Sequence, residues 1–338
     1  MPLFITLLIL VLCAMAPAAN AASVSPMVIA PDRLAALPAS GTPFASMKQS
    51  ADAAITYMSL STPTGTSPWL PNLNGSGAVM RPGVQTLAAA LVYARTKDVR
   101  YRDFVIRANR FLIGTENSAS NNGTSSSDKS LATMRNITAY VLAADLVGMD
   151  PNVTGSRSGY TSTVWRTWLG ALRSKLLTNS TNCPSMVRCN NERAHNWGGF
   201  SSAARIAIDL YLDDQVSLAV AVSRLRRWLG EANEGVAWTP SSDFDSAYAC
   251  VPAGATWTAV NGTSCGLKKD GMLVEDISRS TGTYPTYDST GIGYTMEGYQ
   301  SQLVAAILLQ RRGYDVFNWG NQAPVSYTHL TLPTIYSV

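Results

Sequence analysis

The sequence predicts an all-α protein, and two patterns in the chain support this fold class. Apolar residues recur at three- and four-residue spacing in eight stretches, which is the period of an amphipathic helix. Alternating strand patterns are scarce, with residues 236–238 and 255–260 as the fair candidates. Helices joined by short breaks favour antiparallel hairpins arranged as a bundle, a solenoid or a closed toroid. The sequence has no repeat of fixed period, which disfavours a regular solenoid.

The eight stretches have the lengths of ordinary globular helices. In chain order the predicted helices cover residues 44–58, 84–94, 101–114, 131–147, 161–177, 198–212, 216–232 and 296–312. Residues 116–127 and 179–192 are rich in Gly, Ser, Asn and Thr, and we expect both segments to be surface loops.

The two ends of the chain differ from the rest. Residues 1–21 combine an apolar run with the small-residue sequence Pro17-Ala-Ala-Asn-Ala21, which predicts a signal peptide and a periplasmic or secreted protein. Residues 325–338, including His329, resemble a translated sequencing-library adapter. We therefore expect one domain over residues 22–324, C-terminally truncated by this tail, and no membrane segment after signal removal.

Four cysteines remain after signal removal, and an even number in an oxidising compartment favours disulfides. Three connectivities are open. The local pairs Cys183 with Cys189 and Cys250 with Cys265 are the preferred ones. A zinc site is less favoured because neither pair has C-x-x-C spacing, so no metal and no cofactor are predicted.

The net charge of +4 belongs to the domain, because neither end segment contains a charged side chain. This charge slightly favours an anionic partner. The basic residues are dispersed along predicted helices without a nucleic-acid-reading motif, so no nucleic-acid partner is expected. We expect a monomer.

The first cluster that could carry chemistry is Arg193-Ala-His-Asn-Trp-Gly-Gly-Phe200, which runs directly into a predicted helix. His195 is the one histidine inside the domain. Trp197 and Phe200 can pack beneath the polar residues. The alternative interpretation is structural, with Asn196 as a helix N-cap and His195 as a surface or capping residue.

The second cluster is Asp270-Gly-Met-Leu-Val-Glu-Asp-Ile-Ser-Arg279. Four tyrosines follow it: Tyr284, Tyr287, Tyr294 and Tyr299. An arginine can clamp a charge and a tyrosine can carry a proton, although any one of these tyrosines can also serve packing alone.

Together the two clusters suit β-elimination of a uronic-acid polymer. That reaction removes a proton next to a carboxylate, so Asn, Arg or neutral His must neutralise the carboxylate. His and Tyr are suitable as the base and the acid.

Residues 193–212 and 270–309 resemble the alginate lyase family of polyuronide lyases. In that family a motif of the kind Asn-Asn-His-Ser-Tyr-Trp opens a helix, and an Asp-Gly-Ser-Leu…Glu…Arg…Tyr segment precedes another. Here Trp197 and its helix match the first motif, while Asp270-Gly-Met-Leu, Arg279 and Tyr294 match the second. The chain departs from the first motif in the order Arg193-Ala-His-Asn.

The resemblance implies an incomplete (α/α) toroid and a cofactor-free lyase with an anionic polysaccharide substrate. It makes Asn196 the carboxylate neutraliser, His195 the base or a second neutraliser, Arg279 the substrate clamp and Tyr294 the proton donor and a candidate base. Tyr287 and Tyr299 rival Tyr294. Further substrate contacts are predicted at Arg135, Asn136, Arg193, Trp197, Tyr287, Tyr299 and Trp69.

Two other functions fit the sequence. A glycoside hydrolase on a helical toroid needs two carboxylates beside a cleft. Its candidates are Asp243, Asp245, Asp270, Glu275, Asp276 and Glu297. A secreted glycan-binding protein would use the aromatic and basic residues without turnover. Among lyase substrates, alginate is the family default, and glucuronan or a glycosaminoglycan would need the same chemistry.

Overall fold

A computed structural model describes residues 26–59, 72–73, 79–80, 82–116, 128–149, 162–177, 183–193, 195–229, 276 and 289–319. In these ranges the regular structure is helical apart from one two-residue strand pair, so the prediction of an all-α protein is confirmed. The predicted signal peptide, strands 236–238 and 255–260, the pair Cys250 and Cys265, and residues 325–338 lie outside the described residues. Within the described ranges, no helix is long and apolar enough to cross a membrane.

Within the described ranges, each of the eight predicted helices has a counterpart, and two short α-helices are present besides. The helices are α1 (Pro31–Ala36), α2 (Thr42–Ser59), α3 (Pro82–Thr96), α4 (Val99–Leu112), α5 (Asp128–Leu146), α6 (Ser162–Ser174), α7 (Met186–Glu192), α8 (Asn196–Leu212), α9 (Gln215–Trp228) and α10 (Ser289–Arg311). The strands β1 (Asn72–Leu73) and β2 (Val79–Met80) pair antiparallel. Helix α10 begins seven residues before the predicted position 296. The prediction missed this start because the first turns are rich in Gly, Ser and Thr and lack an apolar period.

The prediction of a loop over residues 179–192 is wrong at its C-terminal half, where α7 forms. Ser185 caps this helix by accepting a hydrogen bond from Arg188 N at 3.3 Å. Met186 and Cys189 are buried, and Cys189 forms the preferred disulfide with Cys183. Seven residues are too few for a helical period to emerge from the sequence.

Helix α8 is the centre of the described core. It packs against α5, α6, α7, α9 and α10. Nearly every residue from Asn196 to Leu210 is buried. A helix that is buried on all sides has neighbours around its whole circumference, so α8 is surrounded by the other helices.

Helices α3, α5, α8 and α10 pack in series, each against the next. Near the N-terminal ends of α8 and α10, Arg135 of α5 and Asn196 of α8 both contact Glu297 of α10. Near their C-terminal ends, Arg312, which follows α10, donates to Leu210 O of α8 at 3.2 Å. Helices α8 and α10 therefore run in the same direction.

A buried ion-pair network holds α6 against the C-terminal end of α8. Arg173 of α6 contacts the fully buried carboxylate of Asp209 and lies 2.7 Å from Asp214. Arg205 lies 3.6 Å from Asp209 on the same helix. A buried charge needs such partners, because without them its desolvation is not compensated.

We expect Arg173→Met to lower the free energy of unfolding by about 3–5 kcal/mol, because it removes the closest partner of a buried carboxylate. Arg188→Met is the matched control, since Arg188 pairs with Glu192 at the surface. That change should cost at most about 1 kcal/mol. Urea denaturation of both variants checks the prediction, and equal losses would contradict it.

Candidate functional site

Side chains from three helices meet at the start of α8. Arg135 belongs to α5, Asn196 is the first residue of α8, and Glu297 lies in the first half of α10. Arg135 Nη2 and Glu297 Oε2 form an ion pair at 2.5 Å. Asn196 Nδ2 donates to the same carboxylate oxygen at 3.4 Å. One carboxylate oxygen therefore joins all three helices.

The start of α8 is buried, so its first backbone N–H groups need acceptors. Asn196 N donates to Asp276 Oδ2 at 2.6 Å. Trp197 N donates to His195 Nδ1 at 3.1 Å and to Asn196 Oδ1 at 3.0 Å. His195 has the extended backbone of an N-cap residue, with φ −93° and ψ −174°. The cap is therefore His195 itself, supported by Asn196 and Asp276.

The hydrogen bond to His195 Nδ1 determines which ring nitrogen of this side chain carries the proton. A neutral imidazole whose Nδ1 accepts a hydrogen bond carries its proton on Nε2. The side chain is 1% exposed, and its ring is edge-on to Trp197 with centroids 6.3 Å apart. In this arrangement the proton of the neutral His195 ring is on Nε2.

Arg135 is held from two sides. Its guanidinium carbon lies 5.0 Å from the centroid of the Phe200 ring on α8, which is a cation–π distance. Glu297 of α10 binds the same guanidinium. The contact with Phe200 does not involve Glu297, so Arg135 has two separate supports.

Two candidate tyrosines lie on α10 and face different neighbours. Tyr294 precedes Glu297 by three residues, so the two side chains share a face of the helix. Tyr299 instead packs against the core, with its ring centroid 6.4 Å from that of Trp228. Burial, and to a lesser extent the charge of Asp276, raises the pKa of Tyr299 to about 12. Of these two, Tyr294 lies on the face of Glu297.

Two consecutive glycines allow close approach around the start of α8. A Cβ on Gly198 would lie 2.0 Å from Arg193 O, and a Cβ on Gly199 would lie 2.5 Å from Ser301 Oγ. Real Cβ atoms do not come this close to other atoms. The glycines therefore set how tightly the segment before α8 and helix α10 pack against it.

The other predicted contact residues have mixed positions. Arg193 is the C-cap of α7, and its N–H donates to Cys189 O at 3.0 Å. Trp197 is half-buried against the core. Asn136 follows Arg135 on α5, and its Nδ2 donates to Ala132 O at 2.8 Å. The remaining predicted site residues, Arg279, Tyr287 and Trp69, lie outside the described residues.

The contacts of Asp276 and Glu297 with Asn196 were not predicted from the sequence. From the sequence, both carboxylates were predicted only as candidate catalytic residues of a glycoside hydrolase. They lie 80 and 101 residues from Asn196 along the chain, so local spacing carries no trace of the contacts. A correct start for α10 would have placed Glu297 on the face of Tyr294 and so identified it as a site residue.

Among the described residues, no group of three or more His, Cys, Asp or Glu side chains could hold a metal ion. Comparisons with protein-family models, with curated proteins and with solved structures found no match.

We expect Gly198→Ala to lower the free energy of unfolding by about 2–3 kcal/mol, because the new methyl group collides with the backbone at Arg193. Gly170→Ala in α6 is the control. Its Cβ would lie 3.7 Å from Leu212 Cδ1, an ordinary contact, and alanine favours a helix over glycine by about 1 kcal/mol. Thermal and urea denaturation should show that Gly198→Ala is much less stable than Gly170→Ala. A Gly198→Ala protein as stable as the wild type would refute the close approach of Gly198 to the Arg193 backbone.

The raised pKa of Tyr299 predicts a pH-dependent stability difference. Between about pH 10 and pH 12 the unfolded tyrosine ionises while the folded one stays neutral, so wild-type stability falls as pH rises through this window. Tyr299→Phe lacks this loss. At pH 11 we expect the variant to gain about 1–1.5 kcal/mol relative to the wild type, compared with their difference at pH 8. Urea denaturation at both pH values tests this, and an unchanged difference would contradict it.

Proposed function

We propose that this chain is an exported polysaccharide lyase that cleaves a uronic-acid-containing polysaccharide, alginate or a similar polyuronate, by β-elimination. One observation carries the proposal. Arg135 and Asn196 donate to one carboxylate at the start of α8, His195 caps that start through Nδ1, and Tyr294 lies on the face of α10 that bears Glu297. These are the residue types that β-elimination requires.

The reaction divides into charge neutralisation and proton transfer. Arg135, Asn196 Nδ2 and His195 Nε2–H neutralise the substrate carboxylate, which acidifies the proton on carbon 5. Removing one such donor from an oxyanion-type site typically costs about 10²–10³ in rate. The predicted clamp Arg279 would hold a neighbouring sugar.

Proton transfer falls to Tyr294 rather than to His195. Because Nδ1 of His195 accepts the Trp197 N–H, its remaining ring nitrogen carries a proton and serves as a donor. A base takes the proton from carbon 5, and that electron pair forms the C4–C5 double bond. The C4–O bond then breaks, and the glycosidic oxygen receives a proton. Tyr294 serves as the acid and, in its deprotonated form, as the base.

The serial packing of α3, α5, α8 and α10 supports the proposed incomplete (α/α) toroid. In such a fold the successive inner helices run in one direction and the outer helices return the chain. The common direction of α8 and α10 agrees with this arrangement. The substrate cleft would then lie at the end where α8 begins.

The glycoside hydrolase is the second candidate, because Asp276 and Glu297 both contact Asn196. Glycosidases hold their two carboxylates roughly 5–9.5 Å apart. Two observations weigh against it: Asp276 is fully buried and accepts the first N–H of α8, while Glu297 is paired with Arg135. Both carboxylates therefore have structural partners.

Ultraviolet absorbance during incubation with alginate, polyglucuronate, hyaluronate and a neutral glucan tests the proposal, because elimination alone creates a conjugated unsaturated uronate. We expect rising absorbance with one polyanion. Tyr294→Phe should lower this rate by about 10²–10⁴, the usual contribution of a positioned acid or base. His195→Asn should also lose activity, and asparagine keeps a good N-cap for α8.

Tyr314→Phe is the matched control, since Tyr314 lies beyond α10 against Trp319. Its activity should equal that of the wild type. New reducing ends without absorbance, abolished by Glu297→Gln, would establish the hydrolase instead. Polymer binding without either signal, unaffected by Tyr294→Phe, would identify a glycan-binding protein.

A further inference from the structure

Glu297 binds the same donors that the proposed function assigns to the substrate. Its Oε2 atom lies 2.5 Å from Arg135 Nη2 and 3.4 Å from Asn196 Nδ2. A uronate carboxylate that uses Arg135 and Asn196 must replace Glu297 at both. The carboxylate of the chain and the carboxylate of the substrate therefore compete for one position.

The solvent exposure of the three side chains shows which of them a dissolved sugar can contact. Asn196 is fully buried, whereas the side chains of Arg135 and Glu297 are 24% and 29% exposed. An incoming carboxylate can reach Arg135 from solvent, and the amide of Asn196 becomes available when Glu297 leaves it. Arg135 stays oriented during this exchange because the Phe200 ring supports its guanidinium.

The other carboxylate at the site takes no part in this exchange. Asp276 accepts the backbone N–H of Asn196 and not its side-chain amide. It can remain in place as the acceptor at the start of α8 while Glu297 moves. The exchange therefore leaves the helix start intact.

We propose that Glu297 occupies the position of the substrate carboxylate in the free protein, so that it competes with a uronate for Arg135 and Asn196. This inference rests on the proposed function. A uronate replaces Glu297 charge for charge and restores the hydrogen bonds to Arg135 and Asn196. A neutral sugar leaves Arg135 without an anionic partner once Glu297 moves, so its binding carries an uncompensated cost.

Removing the competing charge should strengthen the binding of uronates. Glu297→Gln keeps the shape of the side chain but weakens its hold on Arg135, because charge-assisted hydrogen bonds are about twice as strong as neutral ones. We expect the Kd of a uronate trisaccharide to fall by about three- to tenfold. Binding of its carboxyl-reduced counterpart should change little.

The experiment is calorimetric titration in a Tyr294→Phe background, which slows turnover by about 10²–10⁴. The probes are trisaccharides of mannuronate and of glucuronate, each with its carboxyl-reduced counterpart. Glu192→Gln in α7 removes the same charge from a surface pair with Arg188 and should leave the Kd unchanged. Glu297→Asp keeps the charge but shortens the reach to Arg135 and Asn196, so it should also tighten uronate binding.

Each outcome decides a different point. Tighter uronate binding by both Glu297 variants, with Glu192→Gln unchanged, supports competition. Tighter binding by Glu297→Gln and Glu192→Gln alike would assign the effect to net charge and overturn the inference. Unchanged or weaker binding by folded Glu297→Gln would make Glu297 a positioning residue for Arg135. If no variant bound either uronate in preference to its reduced counterpart, the proposed function would fail, and this inference with it.

Discussion

The buried start of α8 is the constraint on which this end of the molecule depends. The first N–H groups of a helix have no partners within it, and burial removes water as an alternative. Here the acceptors are His195 Nδ1, Asn196 Oδ1 and Asp276 Oδ2. Asp276 belongs to the second sequence cluster, so a single hydrogen bond ties together two motifs that lie 80 residues apart.

The same end of α8 favours negative charge. A helix N-terminus carries a partial positive charge, and Arg135 adds a full one beside it. Asp276 and Glu297 satisfy this preference within the protein. They differ in one respect, because Asp276 is fully buried on the backbone whereas Glu297 is partly exposed on side-chain donors. One carboxylate is therefore enclosed in the fold, and the other is accessible to solvent.

The sequence predicted the longer helices well because an apolar period repeats over several turns in each of them. It missed α7, a helix of seven residues that Ser185 caps and that the Cys183–Cys189 disulfide links to the preceding segment. It also located His195 and Asn196 at a helix start, since a polar cluster before an apolar period marks one. It could not identify Glu297 as the partner of Asn196, because a contact over 101 residues arises from the packing of whole helices and leaves no local pattern.

The structural and the functional interpretations of His195 do not exclude each other. A histidine that caps a helix through Nδ1 has a fixed ring orientation and a fixed tautomer. Both are what a donor to a substrate carboxylate needs, because a preorganised donor loses little freedom when charge develops. Capping thus gives the buried His195 ring a fixed orientation. The helix start that the fold must satisfy is, for this reason, also the place where carboxylate chemistry can be positioned.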